Sequence, residues 1–152
     1  MIVLDTSVLS ELWKAVPDTN VLTWINAQAM ETLYLSTMSV AALRFDLASI
    51  PESKRRSVYQ MHLEADILPP FSGRILSFDL EAAQAYADLM TTAKAGGHDL
   101  GHTDGYIAAI AVAHGFAVAT HDTAPFEAVG LRTINPWRDS FIMEDAALLL
   151  AS

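Results

Sequence analysis

Cysteine is absent from the chain. That excludes disulfide staples and thiolate metal sites, and it fits a reducing compartment such as the cytosol, so a cytoplasmic protein is expected. Long apolar runs are missing too: no stretch reaches the roughly 18 residues needed to span a bilayer, so no membrane partner is expected. The N-terminus enters an apolar strand at once, without the basic segment or cleavage site of a signal peptide. Positive charge is scarce. Nine Lys and Arg stand against 18 Asp and Glu, for a formal charge of −9. Such a surface argues against non-specific nucleic-acid binding by a basic face. A nucleic-acid substrate would need its charge neutralised locally, for example by a metal ion, whereas a basic protein partner is easily accommodated. The five histidines show no metal-ligand spacing such as H-E-x-x-H. Apolar residues are plentiful, at 52% of 152, enough for one globular domain with a sizeable core.

Periodicity and punctuation lay out the elements. Ile2-Val3-Leu4-Asp5 reads as a short buried strand, followed by a helix over about 8–14 capped by Thr6 or Ser7. Pro17-Asp18-Thr19 restarts a helix carrying Val21, Leu22, Trp24 and Ile25. Residues 32–36 form the second strand, and Ser39 caps a helix through Leu47. After Pro51 comes a polar helix with the run Lys54-Arg55-Arg56, stopped by Pro69-Pro70. A weaker strand covers 74–78, and Asp79 caps a long helix that Gly96-Gly97 ends. Thr103 caps the next helix, residues 116–120 make the fourth strand, a short helix spans 125–129, and the last strand is 131–134. The order β-α-α-β-α-α-β-α-α-β-α-β predicts an α/β fold: a central, mainly parallel five-stranded sheet covered on both faces. The domain is expected over 1–137, with 138–152 as an appended tail whose Met143–Ala151 stretch has helical character.

Three aspartates fall where buried stretches begin or end. Asp5 closes Ile2-Val3-Leu4, Asp122 follows the fourth strand, and Asp104 opens the apolar helix that begins Gly105-Tyr106-Ile107. Ligands of open α/β sheets bind beyond the carboxyl ends of the strands. Asp5 and Asp122 belong on that rim, and a helix dipole favours Asp104 at its N-terminus. Converging carboxylates of this kind hold a hard divalent cation.

Four segments in register resemble the PIN-domain family, and more closely its VapC-type toxins, including the FitB-like branch. They are Ile2 to Glu11, then Leu35-Ser36-Thr37-Met38-Ser39-Val40-Ala41-Ala42-Leu43-Arg44, then Thr103 to Ala109, then Val118-Ala119-Thr120-His121-Asp122; the closing Ile134-Asn135-Pro136-Trp137 also fits. The resemblance covers about residues 1–137. It implies a PIN-like α/β/α sandwich and a Mg²⁺- or Mn²⁺-dependent endoribonuclease, the toxin of a type II toxin–antitoxin pair. Asp5, Asp104 and Asp122 then take the catalytic and metal-binding positions. Thr6, Ser7 and Thr120 support them, with Ser7 in place of the usual Asn. The implied partners are a small antitoxin and an RNA substrate, with DNA reached only through the antitoxin. A homodimer within a toxin–antitoxin hetero-oligomer is also implied.

One position departs sharply. The family pattern Val-Ala-Glu-Leu-Arg is here Val40-Ala41-Ala42-Leu43-Arg44, so an acid is lost at Ala42. Even an outer-shell loss at a metal site costs about 10–100-fold in affinity or activity. The substitution is either an engineered disarming or the mark of a natural pseudo-enzyme, a binding protein that acts on DNA through its antitoxin. Asp46, one helical turn on, is the nearest stand-in. Phosphatases and receiver domains that also open with a strand ending in Asp fit poorly. Ser7 occupies the second acid's place in Asp-x-Asp, and the receiver's paired early acids and late lysine are missing. Simpler roles are assigned elsewhere: Glu11 and Lys54-Arg55-Arg56 to solvent, His102 and His121 to loops, and Trp24, Phe45 and Tyr106 to the core. Leu9, Leu22 and Met90 suit either the core or a partner interface.

Overall fold

In the computed structural model, which describes residues 1–139, alternate residues of the first strand enter different cores. Leu4 of β1 (Ile2–Leu4) packs with Val8, Leu9, Leu33 and Leu43, while Val3 packs with Ile107, Ala108, Val118 and Phe126. Successive strand side chains point to opposite faces, so a strand buried on both sides must be apolar throughout. This gives three layers. On one face lie α1 (Thr6–Leu12), α2 (Thr19–Ala27), α3 (Thr37–Ala48) and α4 (Lys54–His62). On the other lie α5 (Leu80–Ala95), α6 (His102–His114) and α7 (Ala124–Glu127). With β2 (Leu33–Ser36), β3 (Ile75–Leu76), β4 (Ala117–Ala119) and β5 (Thr133–Ile134), the element order matches the sequence expectation.

The sheet order is β3-β2-β1-β4-β5, and every pairing is parallel, so the expected "mainly parallel" sheet is wholly parallel. From β1 the chain adds β2 and β3 on one side and then β4 and β5 on the other. The crevice between the carboxyl ends of β1 and β4 is therefore the topological switch point, where such sheets bind ligands. β1 and β4 pair Leu4 with Ala119, which brings Asp5 and Thr120 together at the rim.

Strands and caps differ from expectation by a residue or more. Every strand is shorter at one or both ends. α1 starts at Thr6 and is capped by Asp5, and α3 is capped by Ser36, whose Oγ accepts from the Ser39 N–H. α6 is capped by Gly101 and not by Thr103, which leaves Asp104 inside its first turn. In each case the cap falls at the residue that still holds extended backbone, and a hydroxyl inside the first turn cannot take that role. Unforeseen are 3₁₀ turns at Met30–Thr32 and Pro69–Phe71, and a π turn at Leu63–Ile67. Phe45, expected in the core, is 72% exposed, because its helical position faces out beside Arg44 and Asp46. Trp24 and Leu9 are buried. Arg138 and Asp139 donate their N–H groups to Asn135 O in a closing turn, and the helix expected over Met143–Ala151 lies outside the described residues.

The α5–α6 contact depends on Gly105. A Cβ there would meet Tyr86 Cε2 at 3.0 Å and Met90 Sδ at 3.1 Å. Tyr86 has little room to yield, since it stacks on Tyr106 at 4.7 Å and its hydroxyl hydrogen-bonds His102 Nδ1 at 3.1 Å. Gly105→Val is expected to cost about 1–3 kcal/mol by overpacking. Urea unfolding would check this, and an unchanged midpoint would show that the helices can separate freely.

Candidate active site

Asp5 is the most constrained acid of the rim. Its Oδ1 accepts from the Thr6 N–H at 2.8 Å, and its Oδ2 accepts from Thr120 Oγ1 at 2.8 Å and, more weakly, from Ser7 Oγ at 3.5 Å. Thr6 thus contributes its backbone and not its hydroxyl. Thr120 is itself buried at the end of β4, so its hydroxyl is fixed. Burial pushes the Asp5 carboxyl above its ordinary value, and the bonds from Thr120, Thr6 and Ser7 partly offset this. Ser7 has a second role: its Oγ accepts the His121 N–H at 3.1 Å, which ties α1 to the β4 loop. Asn135 Nδ2 donates to His121 O at 3.1 Å, and the His121 ring meets Trp137 edge-on at 4.6 Å.

Thr120→Val keeps the shape and removes the strongest side-chain donor to Asp5. We expect a loss of about 1–3 kcal/mol, the usual cost of unpairing a buried charged acceptor, together with a further rise in the Asp5 pKa. Denaturant melts and a carboxyl NMR titration would show both. An Asp5 titration identical to the parent's would remove Thr120 from this role.

Asp104 projects from the first turn of α6. Its pKa is raised by burial first, and then by the negative charges of Asp5 and Asp122. The helix dipole favours the charged form, so burial and like-charge repulsion outweigh it. Asp122 is exposed, three residues beyond β4. Asp104 therefore feels the charges of two acids from distant parts of the chain at the switch point. Among the described residues, however, no three acidic or histidine side chains stand close enough to form a closed metal cage. Mg²⁺ keeps most of its water and needs only one or two carboxylates directly. The hard oxygen donors present, one of them rigidly oriented, fit such a cation.

The sequence pattern of the PIN domain matches residues 2–131. The chain belongs to the PIN-domain family. It is 63% identical over 137 residues to VapC ribonuclease Y4jK of Sinorhizobium fredii, an alignment covering 90% of this chain and 98% of that protein. To toxin FitB of Neisseria gonorrhoeae it is 42% identical over 139 residues, covering 91% of this chain and all of that one. A solved structure of FitAB bound to an IR36 DNA fragment superposes with a TM-score of 0.88 at 40% identity, covering 91% of this chain and 96% of that chain.

On this PIN domain Ala42, where the sequence resemblance implies an acid, is half-buried. Ala42 lies on α3, which packs against both α1, capped by Asp5, and α6, bearing Asp104. Asp46 does not stand in for it. It is exposed and lines a cleft with Ser10, Trp13 and Lys14, and the charges acting on Asp104 are those of Asp5 and Asp122. Glu11 does not face solvent as expected. It is 6% exposed, accepting the Asp18 N–H at 2.9 Å on one oxygen and meeting Lys14 Nζ at 2.7 Å with the other. Its pKa is lowered, chiefly by the bond from Lys14. His102 opens α6 and does not lie in a loop. Glu11 and Trp137 lie in segments that carry the family resemblance, but Lys14 was not legible as their neighbour, because what joins the three is a cavity between α1 and the chain after β5. For Lys14 the available signal was its helical spacing from Ser7, Ser10 and Glu11.

Proposed function

We propose that this chain is the toxin of a toxin–antitoxin pair, an endoribonuclease whose Asp5, Asp104 and Asp122 bind Mg²⁺ or Mn²⁺, with Ala42 leaving it weak or inactive. The observation that carries the reading is the Asp5 carboxylate fixed by Thr120, Thr6 and Ser7 at the β1/β4 switch point, near enough to Asp104 for their charges to interact, in a chain similar to a named VapC ribonuclease and a named toxin. A bound divalent cation would polarise the RNA phosphate and lower the pKa of a bound water. The chain's own residues prepare the place. Thr120, Thr6 and Ser7 hold the Asp5 carboxylate toward the rim, while Asp104 and Asp122 add negative charge that a bound cation would relieve at neutral pH.

The same excess of negative charge suits a basic antitoxin segment. An adjacent small open reading frame is expected to encode it, and DNA is expected to be reached only through that complex, as a toxin dimer with bound antitoxin. The antitoxin is expected to place a basic side chain at the acid pocket. Co-purification of the two products should weaken when Asp104→Asn and Asp122→Asn are introduced. Undiminished capture by both variants would remove the pocket from the contact. Ala42 also favours a second reading, a binder of the same fold without cleavage. Activity of the Ala42→Glu form separates the two.

A further inference from the structure

Asp122 is the exposed acid of the rim. Among the described residues no hydrogen bond holds its carboxylate; the bonds of its loop fall on Thr120 and His121 instead. Its place is therefore set by the backbone it hangs from. Thr120 is the last point tied to the sheet, its N–H donating to Ile134 O at 2.9 Å. Two peptide units lead from there to Asp122. The first carries the His121 N–H, which donates to Ser7 Oγ at 3.1 Å. The second carries the His121 carbonyl, which accepts from Asn135 Nδ2 at 3.1 Å. Peptide units are planar. Holding one atom of each plane restrains both backbone rotations at His121, and the second plane ends at the Asp122 Cα.

Asn135 is itself firmly placed. Its Oδ1 accepts the Trp137 N–H at 2.9 Å in an Asx turn. Only the amide oxygen can accept there, which leaves Nδ2 as the group facing His121 O. The Asn135 N–H donates to Asp139 Oδ2 at 2.8 Å, and its carbonyl accepts from the Arg138 and Asp139 N–H groups at 3.0 and 2.7 Å. Trp137 fastens the same turn on two sides. Its ring meets that of His121 edge-on at 4.6 Å, and its carbonyl accepts from Asn20 Nδ2 of α2 at 3.0 Å. Ser7, which grips the other peptide unit, also reaches Asp5 Oδ2 at 3.5 Å. Asp5 and Asp122 are thus fixed to one frame.

We infer that Asn135 is a positioning residue of the rim: through the His121 carbonyl it holds Asp122 where it can share a divalent cation with Asp5, an inference that rests on the metal-site reading above. Like charges favour an Asp122 that swings away from the other acids, and its charge already acts on Asp104. The Asn135 bond opposes that movement before any cation arrives.

The test measures Mn²⁺ binding by the full chain in the Ala42→Glu background, from loss of the free-ion electron paramagnetic resonance signal. Circular dichroism and melts in EDTA confirm the fold. Asn135→Ser keeps an oxygen for the Trp137 N–H but does not reach His121 O. It should weaken Mn²⁺ binding at least about tenfold, the lower end for groups that orient metal ligands. Asn135→Asp keeps the turn as well and replaces the donor by an oxygen. Its added negative charge alone would tighten Mn²⁺ binding, so weaker binding reports the lost bond. Ser53→Ala, which uncaps α4, should lower the melting temperature and leave Mn²⁺ affinity unmoved. Asp122→Asn should itself weaken binding, and adding Asn135→Ser to it should cost less than about a further twofold, because both act through one contact to the ion. In EDTA, hydrogen exchange of the His121 amide should quicken in Asn135→Ser and not in Ser53→Ala. Undiminished Mn²⁺ binding by Asn135→Ser and Asn135→Asp, with Asp122→Asn weakened, would overturn the positioning role and leave the metal site standing. So would a loss from Asn135→Ser as large without the Asp122 carboxylate as with it. The expected losses in a form that cuts no RNA would uphold Asn135 and overturn the nuclease alone. No Mn²⁺ binding by any form would overturn the metal site and this inference together.

Discussion

Ala42→Glu is expected to raise Mg²⁺- or Mn²⁺-dependent cleavage of structured RNA by at least about tenfold, the lower bound set by losses at outer-shell metal positions. The chain as written should cut very slowly. Position 42 lies half-buried on α3, the helix packed against both α1 and α6, and under the proposed reading a carboxylate there would add to Asp5, Asp104 and Asp122. Adding Asp5→Asn to the restored form should abolish the gain, since Asp5 is the acid most firmly held. Initial rates on one RNA with and without EDTA would measure the effect. Equal rates for the parent and the Ala42→Glu form would remove position 42 from the machinery.

The second large effect is on stability and reverses with metal. Asp104 is raised above the ordinary aspartate value of 3.8 by burial and by Asp5 and Asp122. Between that value and the raised one, the native state holds more protons than the unfolded chain. Stability from this group is therefore fully present at low pH, falls as pH rises through that window, and stays lost at neutral pH. Asp104→Asn cannot acquire the charge, so in EDTA at pH 7 it should melt higher than the parent. Discounted for partial exposure the gain is about 1 kcal/mol or less, roughly 2–4 °C at this chain length. Near pH 3 the difference should vanish. By the same repulsion, Ala42→Glu should melt below the parent in EDTA. Mg²⁺ or Mn²⁺ should then stabilise the Ala42→Glu form most, the parent less and Asp104→Asn least, since a ligand of the native state adds RT ln(1 + [L]/Kd), about 2.7 kcal/mol at a hundred times Kd. Identical metal-induced shifts in all three would mean that the acids do not share a cation.

Much of the architecture was legible because a sheet buried on both faces leaves few choices. Ile2-Val3-Leu4 and Ala117-Val118-Ala119 have no polar residue to expose, and helix punctuation by Pro, Gly and Asp bounds what lies between. Caps were misplaced at Thr6, Ser39 and Thr103, because several residues in a row could supply the oxygen and only backbone conformation chooses among them. Phe45 was misassigned because hydrophobicity says nothing about which side of a helix another element will cover.

The sequence by itself placed Asp5, Asp104 and Asp122 near element ends and put Ala42 where the family resemblance implies an acid. These are local facts, carried by side-chain chemistry and by short-range pattern. The tertiary structure alone decided that Asp104 is pushed up by burial and then by Asp5 and Asp122, that Thr120 holds Asp5 across 115 residues of chain, and that Glu11 is buried and fixes Lys14. It also decided that Asp46, the nearest residue that could have replaced an acid at position 42, lines a different cleft. Each of these depends on strand order and on the register of parallel pairing. Side-chain alternation says which residues are buried, but it does not say which strand lies beside which.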